Sequence, residues 1–264
     1  MIIGVDMGAS AVKLCGLKDG KVAFTHYASA HHEGRIYEML SGLGVQPEKA
    51  EVIAVTGLNT ARTGLEQHAL PLAYIEEPRA IGAGGAWLAG RDDVIVTSIG
   101  TGTAFVLVRG GQCTHIGGTG VGGGTIRGLA KRLMGLDDIQ AFDRLVQQGD
   151  YGKVDLLIRD FSSGSETLFP EMTASNLARM DPTATEADWA AGILNLVLQV
   201  VGTMSMLSCN GYGASGVVVI GAVAGTEASR ANFQRFTDIY GLDFLIPEHY
   251  ACATAIGAAR QALL

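Results

Sequence analysis

Near the start of the chain Asp6 closes an apolar run, Gly8, Ala9 and Ser10 follow, and a second apolar run carries Lys13. A carboxylate, bare amides, a hydroxyl and an ammonium this close together suit the handling of phosphate. Glycine lets the backbone approach phosphate oxygens, and unpaired turn amides donate to them. Asp6 is placed to hold Mg²⁺ through water, because a hard cation takes oxygen ligands. Lys13 adds a point charge. The layout then recurs: VDMGASAVKL (5–14) and SIGTGTAFVL (98–107) each read as strand, polar Gly/Ser/Thr turn, strand. A third stretch, GTGVGGGTIRG (118–128), opens a helix whose first amides favour anions. Taken singly, each glycine turn is an ordinary tight turn and Asp6 an ordinary turn former. Taken together, two turns facing across a cleft can grip a polyphosphate. A dinucleotide-binding turn and a P-loop are excluded, since both need a helix directly after the glycines and here a strand follows.

The elements that must position these residues follow from pattern. Strands are expected at 2–7, 11–17 and 22–28, the last two joined by Lys18-Asp19-Gly20-Lys21, whose Asp-Gly pair signals a hairpin. A helix near 33–43, a strand at 51–57, a strand at 71–76 and a small-residue helix after Pro78 complete a first unit. The pattern restarts at 93–117 with strand, glycine turn, strand, Gly-Gly hairpin, strand. Helices are expected from there to about 190, overlapping a long helix at 186–210; then come a strand at 216–221, a helix at 225–240, a strand at 242–246 and a last helix from 251. Strands alternating with helices imply mixed α/β sheets covered on both faces. Two similar lobes result, 1–90 and 91–264, with a hinge near 88–93 and the last helix free to pack back on the first lobe.

Bulk properties narrow the partners. Of 264 residues, 19 are Lys or Arg and 26 Asp or Glu, a net charge of −7 with no basic cluster, which excludes a nucleic-acid surface. Cys15, Cys113, Cys209 and Cys252 are scattered without metal-ligand spacing and read as buried or free thiols of a reducing compartment, not a metal site or a disulfide frame. The N-terminus lacks a signal-peptide profile. The greasiest stretch, 192–209, carries Asn195, Gln199, Thr203 and Ser205 and reads as a buried helix, not a membrane span. A cytoplasmic location is expected.

VDMGASAVKL, SIGTGTAF and VVVIGAVAG resemble the first phosphate, second phosphate and adenosine motifs of the actin/Hsp70/sugar-kinase superfamily. More narrowly, YIEEP (74–78), IGGTGVGGGTIRGL (116–129) and MTASNLARM (172–180) are similar to the Glu segment, the nucleotide loop and the Thr-Ala-Ala-Asn helix start of the type II pantothenate kinases. The motifs run in family order over nearly the whole chain. The resemblance implies two ribonuclease-H-like lobes, an actin-like ATPase fold, around an interlobe nucleotide cleft. It implies a homodimeric kinase that uses ATP and Mg²⁺ to phosphorylate the hydroxyl of pantothenate, the first step toward coenzyme A. It puts ATP against Asp6, Met7, Gly8, Ala9, Ser10, Ala11, Val12 and Lys13 in the first turn and Thr101, Gly102 and Thr103 in the second. Gly123, Gly124, Thr125, Ile126, Arg127 and Ala222 complete that set, with Asp6 on the metal side.

The resemblance also makes Glu76 the general base. Glu77 is its rival, and adjacent strand residues point to opposite faces, so only one of the two can face substrate. The chain departs from the family at His115, where an arginine is usual, so His115 and Gly117 on the acceptor side carry no guanidinium fork. Arg127 or Arg79 could substitute, and a neutral acceptor such as pantetheine would feel the change least. Ala222 stands where a serine is common. The alternatives are a kinase of another small acceptor, an amino sugar included, and a nucleotide-binding regulator without turnover. An activator of a dehydratase would need cysteines for a subunit-bridging iron–sulfur cluster, which the scattered thiols do not suggest.

Overall fold

The computed structural model of the chain describes residues 1–29, 34–161, 169–179 and 181–263. The first apolar runs fold as a meander of β1 (Ile2–Met7), β2 (Ala11–Lys18) and β3 (Lys21–Ser29), paired antiparallel. Asp19 and Gly20 both take positive φ, 51° and 72°, which a two-residue turn matching the strand twist requires. Helix α1 (Ile36–Gly42) leads to β4 (Val52–Thr56), which lies parallel to β1, and then to β5 (Leu72–Tyr74), parallel to β4. Residue 33, where the helix was expected to begin, lies outside the described residues. The sheet order is β3-β2-β1-β4-β5.

After helix α2 (Glu77–Ala89) the same plan begins again with the antiparallel strands β6 (Asp93–Ile99), β7 (Thr103–Arg109) and β8 (Gln112–Thr119). Where the first unit has one short helix, the second inserts α3 (Gly123–Met134), α4 (Ile139–Gln148), a ribbon of β9 (Leu156–Leu157) with β10 (Thr173–Ser175), and α5 (Glu186–Tyr212). Strand β11 (Val217–Ile220) then lies parallel to β6, helix α6 (Glu227–Tyr240) follows, β12 (Phe244–Leu245) lies parallel to β11, and α7 (Ala253–Gln261) ends the fold. The second sheet, β8-β7-β6-β11-β12, repeats the topology of the first. These are the two mixed sheets, each helix-covered, that the sequence pattern predicts.

One expected helix start is instead a strand. Thr173–Ser175 pairs with β9, and the long helix begins at Glu186 behind a Thr185 cap. The reason is Asp155, fully buried, which accepts hydrogen bonds from the Leu177 N–H (2.7 Å), Asn176 Nδ2 (3.1 Å) and Asn195 Nδ2 (2.7 Å). Those bonds hold the segment down in an extended path, with Leu177 in the left-handed region at φ 54°. Met180, the end of that motif, lies outside the described residues. Helix α5 is long and apolar enough to cross a bilayer, yet over half of that stretch is buried, packed on the second sheet and on α3, α4 and α6.

Helices α2 and α7 join the two sheets by exchange. Helix α2 follows the first sheet but packs on β6, β7, β8 and β11, whereas α7 follows the second and packs on β1, β2 and β4. They cross in backbone contact: a Cβ on Gly84 would land on the Ala253 carbonyl, and one on Gly257 on the Ala80 carbonyl. The small-residue composition of both helices is what permits this crossing.

Candidate active site

The register of the first hairpin sets Asp6 directly opposite Lys13, so both side chains stand on one face. Lys13 Nζ lies 3.0 Å from Asp6 Oδ2, and both side chains are largely buried. Burial alone would lower the Lys13 ammonium; the Asp6 carboxylate outweighs it and the net shift is upward. Asp6 Oδ1 is buried and has no hydrogen-bond partner. Gly57, just past β4, closes over it with φ 99°; a Cβ there would sit 2.6 Å from the Met7 carbonyl oxygen and 2.9 Å from Asp6 Oδ1. The corresponding pair in the second hairpin is Ser98 opposite Ala104, so the charges are confined to the first lobe.

The two glycine turns face each other. Ser10 Oγ and Thr101 Oγ1 are 2.8 Å apart, a hydrogen bond between residues 91 positions apart in sequence. In the turns the Gly8 N–H bonds the Ala11 carbonyl at 3.1 Å and the Gly100 N–H the Gly102 carbonyl at 2.8 Å. Among the described residues the amides of Ala9, Ser10, Thr101 and Gly102 have no protein partner, which leaves them for an anion. The start of α3 behaves differently from expectation. The Gly123 and Gly124 amides donate to the Gly100 and Thr101 carbonyls at 2.8 Å each, so they buttress the second turn and are not free for phosphate. The Thr125 hydroxyl is likewise engaged: it accepts from the Gly122 N–H and donates to the Gly120 carbonyl.

A cleft of about 880 Å³ opens along these turns. Gly8 to Ala11, Lys13, Thr101 to Thr103, Gly123, Gly124, Ile126, Arg127 and Ala222 all line it, as does His115. Met7 and Val12 do not: both are buried in the first-lobe core, and their side chains touch no cleft. Gly117 sits beside a bulge of β8 and is not part of the lining. Arg79 is exposed and bonds Gln261, away from the cleft. Arg127 is paired with Asp137 at 3.1 Å, and Lys131 takes the other oxygen at 2.7 Å. His115 is therefore the one cleft-lining cation-former that no described acid engages.

The two glutamates exchange places relative to expectation. Strand β5 ends at Tyr74, so strand alternation does not govern 76 and 77; Glu76 is the cap residue before α2, exposed and absent from the cleft. Glu77 is the first helical residue, turned inward with Pro78 behind it, and lines the cleft. Burial, followed by the charge of Asp6, pushes its carboxyl above the usual range, with Lys13 opposing. The geometry thus sets Glu77, not Glu76, beside the Asp6–Lys13 pair.

The far half of the cleft was not anticipated. Its floor is Ile126, Ala130, Phe142 and Leu194, side chains of the second-lobe core, and its rim holds Asp137 and Asp143. Burial pushes the Asp143 carboxyl upward. The sequence pattern predicts helices through this stretch, and no spacing marks α4 as a wall of the cleft. Among the described residues no group of three or more His, Cys, Asp or Glu could hold a metal alone, and the four cysteines are free.

The Staphylococcus saprophyticus type II pantothenate kinase is 27% identical, over 98% of this chain and 99% of that relative. The Oceanobacillus iheyensis type II pantothenate kinase is 28% identical over 88% and 87%. Solved structures share the fold: an activator of the 2-hydroxyisocaproyl-CoA dehydratase from Clostridium difficile with bound ADPNP has a TM-score of 0.71 at 19% identity, covering 99% of this chain and 93% of that one. A ROK family glucokinase from Streptomyces griseus in complex with glucose and AMPPNP has a TM-score of 0.61 at 14% identity, covering 98% of each chain. The two lobes therefore have the actin-like ATPase fold, and the likeness to the Staphylococcus relative runs over nearly the whole of both chains. The Fumble family profile matches residues 93–235, over half the chain, and spans the second turn, the glycine-rich helix start and the adenosine motif: the chain belongs to the Fumble family.

Proposed function

We propose that the protein transfers the terminal phosphoryl group of ATP to the hydroxyl of pantothenate, with Glu77 as general base. The carrying observation is the placement of Glu77 in the cleft beside Asp6 and Lys13, under two facing turns with unpartnered amides. The full-length likeness to type II pantothenate kinases supplies the acceptor. In this reading the free amides and the Ser10 and Thr101 hydroxyls hold the phosphates, and Lys13 keeps positive charge beside them. Glu77, as the carboxylate, accepts the proton of the attacking hydroxyl. Asp6 fits an Mg²⁺ held through water: its Oδ1 is buried and orphaned, and Mg²⁺ takes one or two carboxylates, waters and substrate phosphates. That ion would neutralise charge on the phosphates during transfer. Lobes meeting near residue 90 and a homodimer belong to the same proposal.

The test is an ATP-consumption assay with pantothenate, pantetheine and N-acetylglucosamine side by side. Turnover with pantothenate that falls by roughly 10²–10⁴ in Glu77→Gln, with Glu76→Gln near wild type, is expected. The reverse pattern restores Glu76 as the base, and ATP binding without turnover on any acceptor makes the protein a regulator. Preference for pantetheine would follow from His115, which offers an acid acceptor no bidentate fork.

A further inference from the structure

Among the described residues three buried side-chain oxygens lack any hydrogen-bond partner: Asp6 Oδ1, Thr56 Oγ1 and Asn232 Oδ1. The first two are not independent. Strands β1 and β4 run parallel with Asp6 and Thr56 as register partners, so their side chains leave the sheet on the same face at the same end. Thr56 is fully buried and Asp6 only 4% exposed. A lone buried hydroxyl without a partner is costly, and two adjacent orphans point to a species that satisfies both. Asp6 Oδ2 is already taken by Lys13, so Oδ1 is the oxygen left to face a cation's water shell. Gly57, the next residue after Thr56, packs close to Asp6 Oδ1, where a Cβ would sit 2.9 Å away.

We propose that Thr56 is a positioning residue for the metal–nucleotide site, its hydroxyl turning to Asp6 Oδ1 and orienting that carboxylate toward the water shell of the divalent cation. Thr56 does not line the cleft and touches neither nucleotide nor acceptor; it acts through Asp6. The inference rests on the kinase reading above. Residues behind a metal's direct partners are worth 10–100-fold in affinity when removed.

Thr56→Val keeps shape and removes only the hydroxyl. It should leave thermal stability equal or raised, since the buried orphan is gone, yet weaken Mg²⁺-dependent binding of a non-hydrolysable ATP analogue about tenfold by calorimetry. Thr56→Ser should restore Mg²⁺ dependence, and binding of the analogue in chelator should be the same in all three. Wild-type Mg²⁺ dependence in Thr56→Val, whatever its Tm, overturns the inference alone. Absence of any Mg²⁺ effect in the wild-type protein overturns the metal–nucleotide reading itself.

Discussion

Glu77 titrates between one negative and one positive neighbour, and the sign of its shift makes a kinetic statement. Burial and Asp6 raise its carboxyl above the ordinary 4.5, so folding shifts it toward the neutral form relative to the unfolded chain. That contribution to stability is complete below 4.5 and fades as pH rises through the raised folded value. Catalysis needs the opposite form. The acid limb of kcat/KM should therefore lie above 4.5, with Glu77 ionising on its way up. Lys13 lowers this carboxyl, so Lys13→Met should move the limb to higher pH as well as weaken phosphate binding; a pH–rate profile checks both. A limb at or below 4.5 would remove Glu77 from the reaction. The hydroxyl bridge predicts a smaller effect. Thr101→Val, which ends the bond to Ser10, should raise KM for ATP about fivefold, as expected for one hydrogen bond of about 1 kcal/mol.

At the scale of elements, the insertion between β8 and β11 is held by buried carboxylates, not by helix propensity. Asp188 sits in the first turn of α5; burial alone would raise it, but the N–H groups of Thr185 and Asp150, the Thr185 hydroxyl and Lys153 bring it down to about 2. Its contribution is fully present above the ordinary 3.8 and is lost as pH falls through about 2. Asp188→Ala should cost about 3 kcal/mol and lower Tm on the order of 10 °C at neutral pH, with the difference closing at acid pH. The insertion is also where the sequence was least legible. MTASNLARM reads as a helix start by resemblance, and only the long-range bonds to Asp155 make Thr173–Ser175 a strand. The glycine turns were legible because a strand must follow each of them. Glu77 was not, because its direction depends on β5 ending at Tyr74, a boundary that tertiary pairing sets and the local pattern does not.

For the whole molecule, the repeat of one sheet topology was written in the recurrence of strand, turn, strand, while the exchange of α2 and α7 between the sheets was not. Nothing in a run of Gly and Ala says which sheet it will cover; the crossing does, because Gly84 and Gly257 let the backbones of α2 and α7 touch. Since each helix follows one sheet and packs on the other, the crossing fixes how the Ser10 turn meets the Thr101 turn. A Cβ at Gly257 meets the Ala80 carbonyl and Gly84 N, which are backbone atoms and cannot swing aside. Gly257→Val must therefore spread α2 from α7. We expect a stability loss of at least about 2 kcal/mol and, in the fraction that folds, at least a tenfold fall in kcat with the turns misaligned. Gly128, in α3, has open space around it, so Gly128→Ala should instead raise stability by roughly 0.5–1 kcal/mol with turnover kept. The contrast isolates crowding at the crossing from the general effect of replacing a helical glycine. A Gly257→Val protein with wild-type Tm and kcat would show that the lobes are aligned by the turns themselves, and the helix crossing would then be a consequence of that alignment.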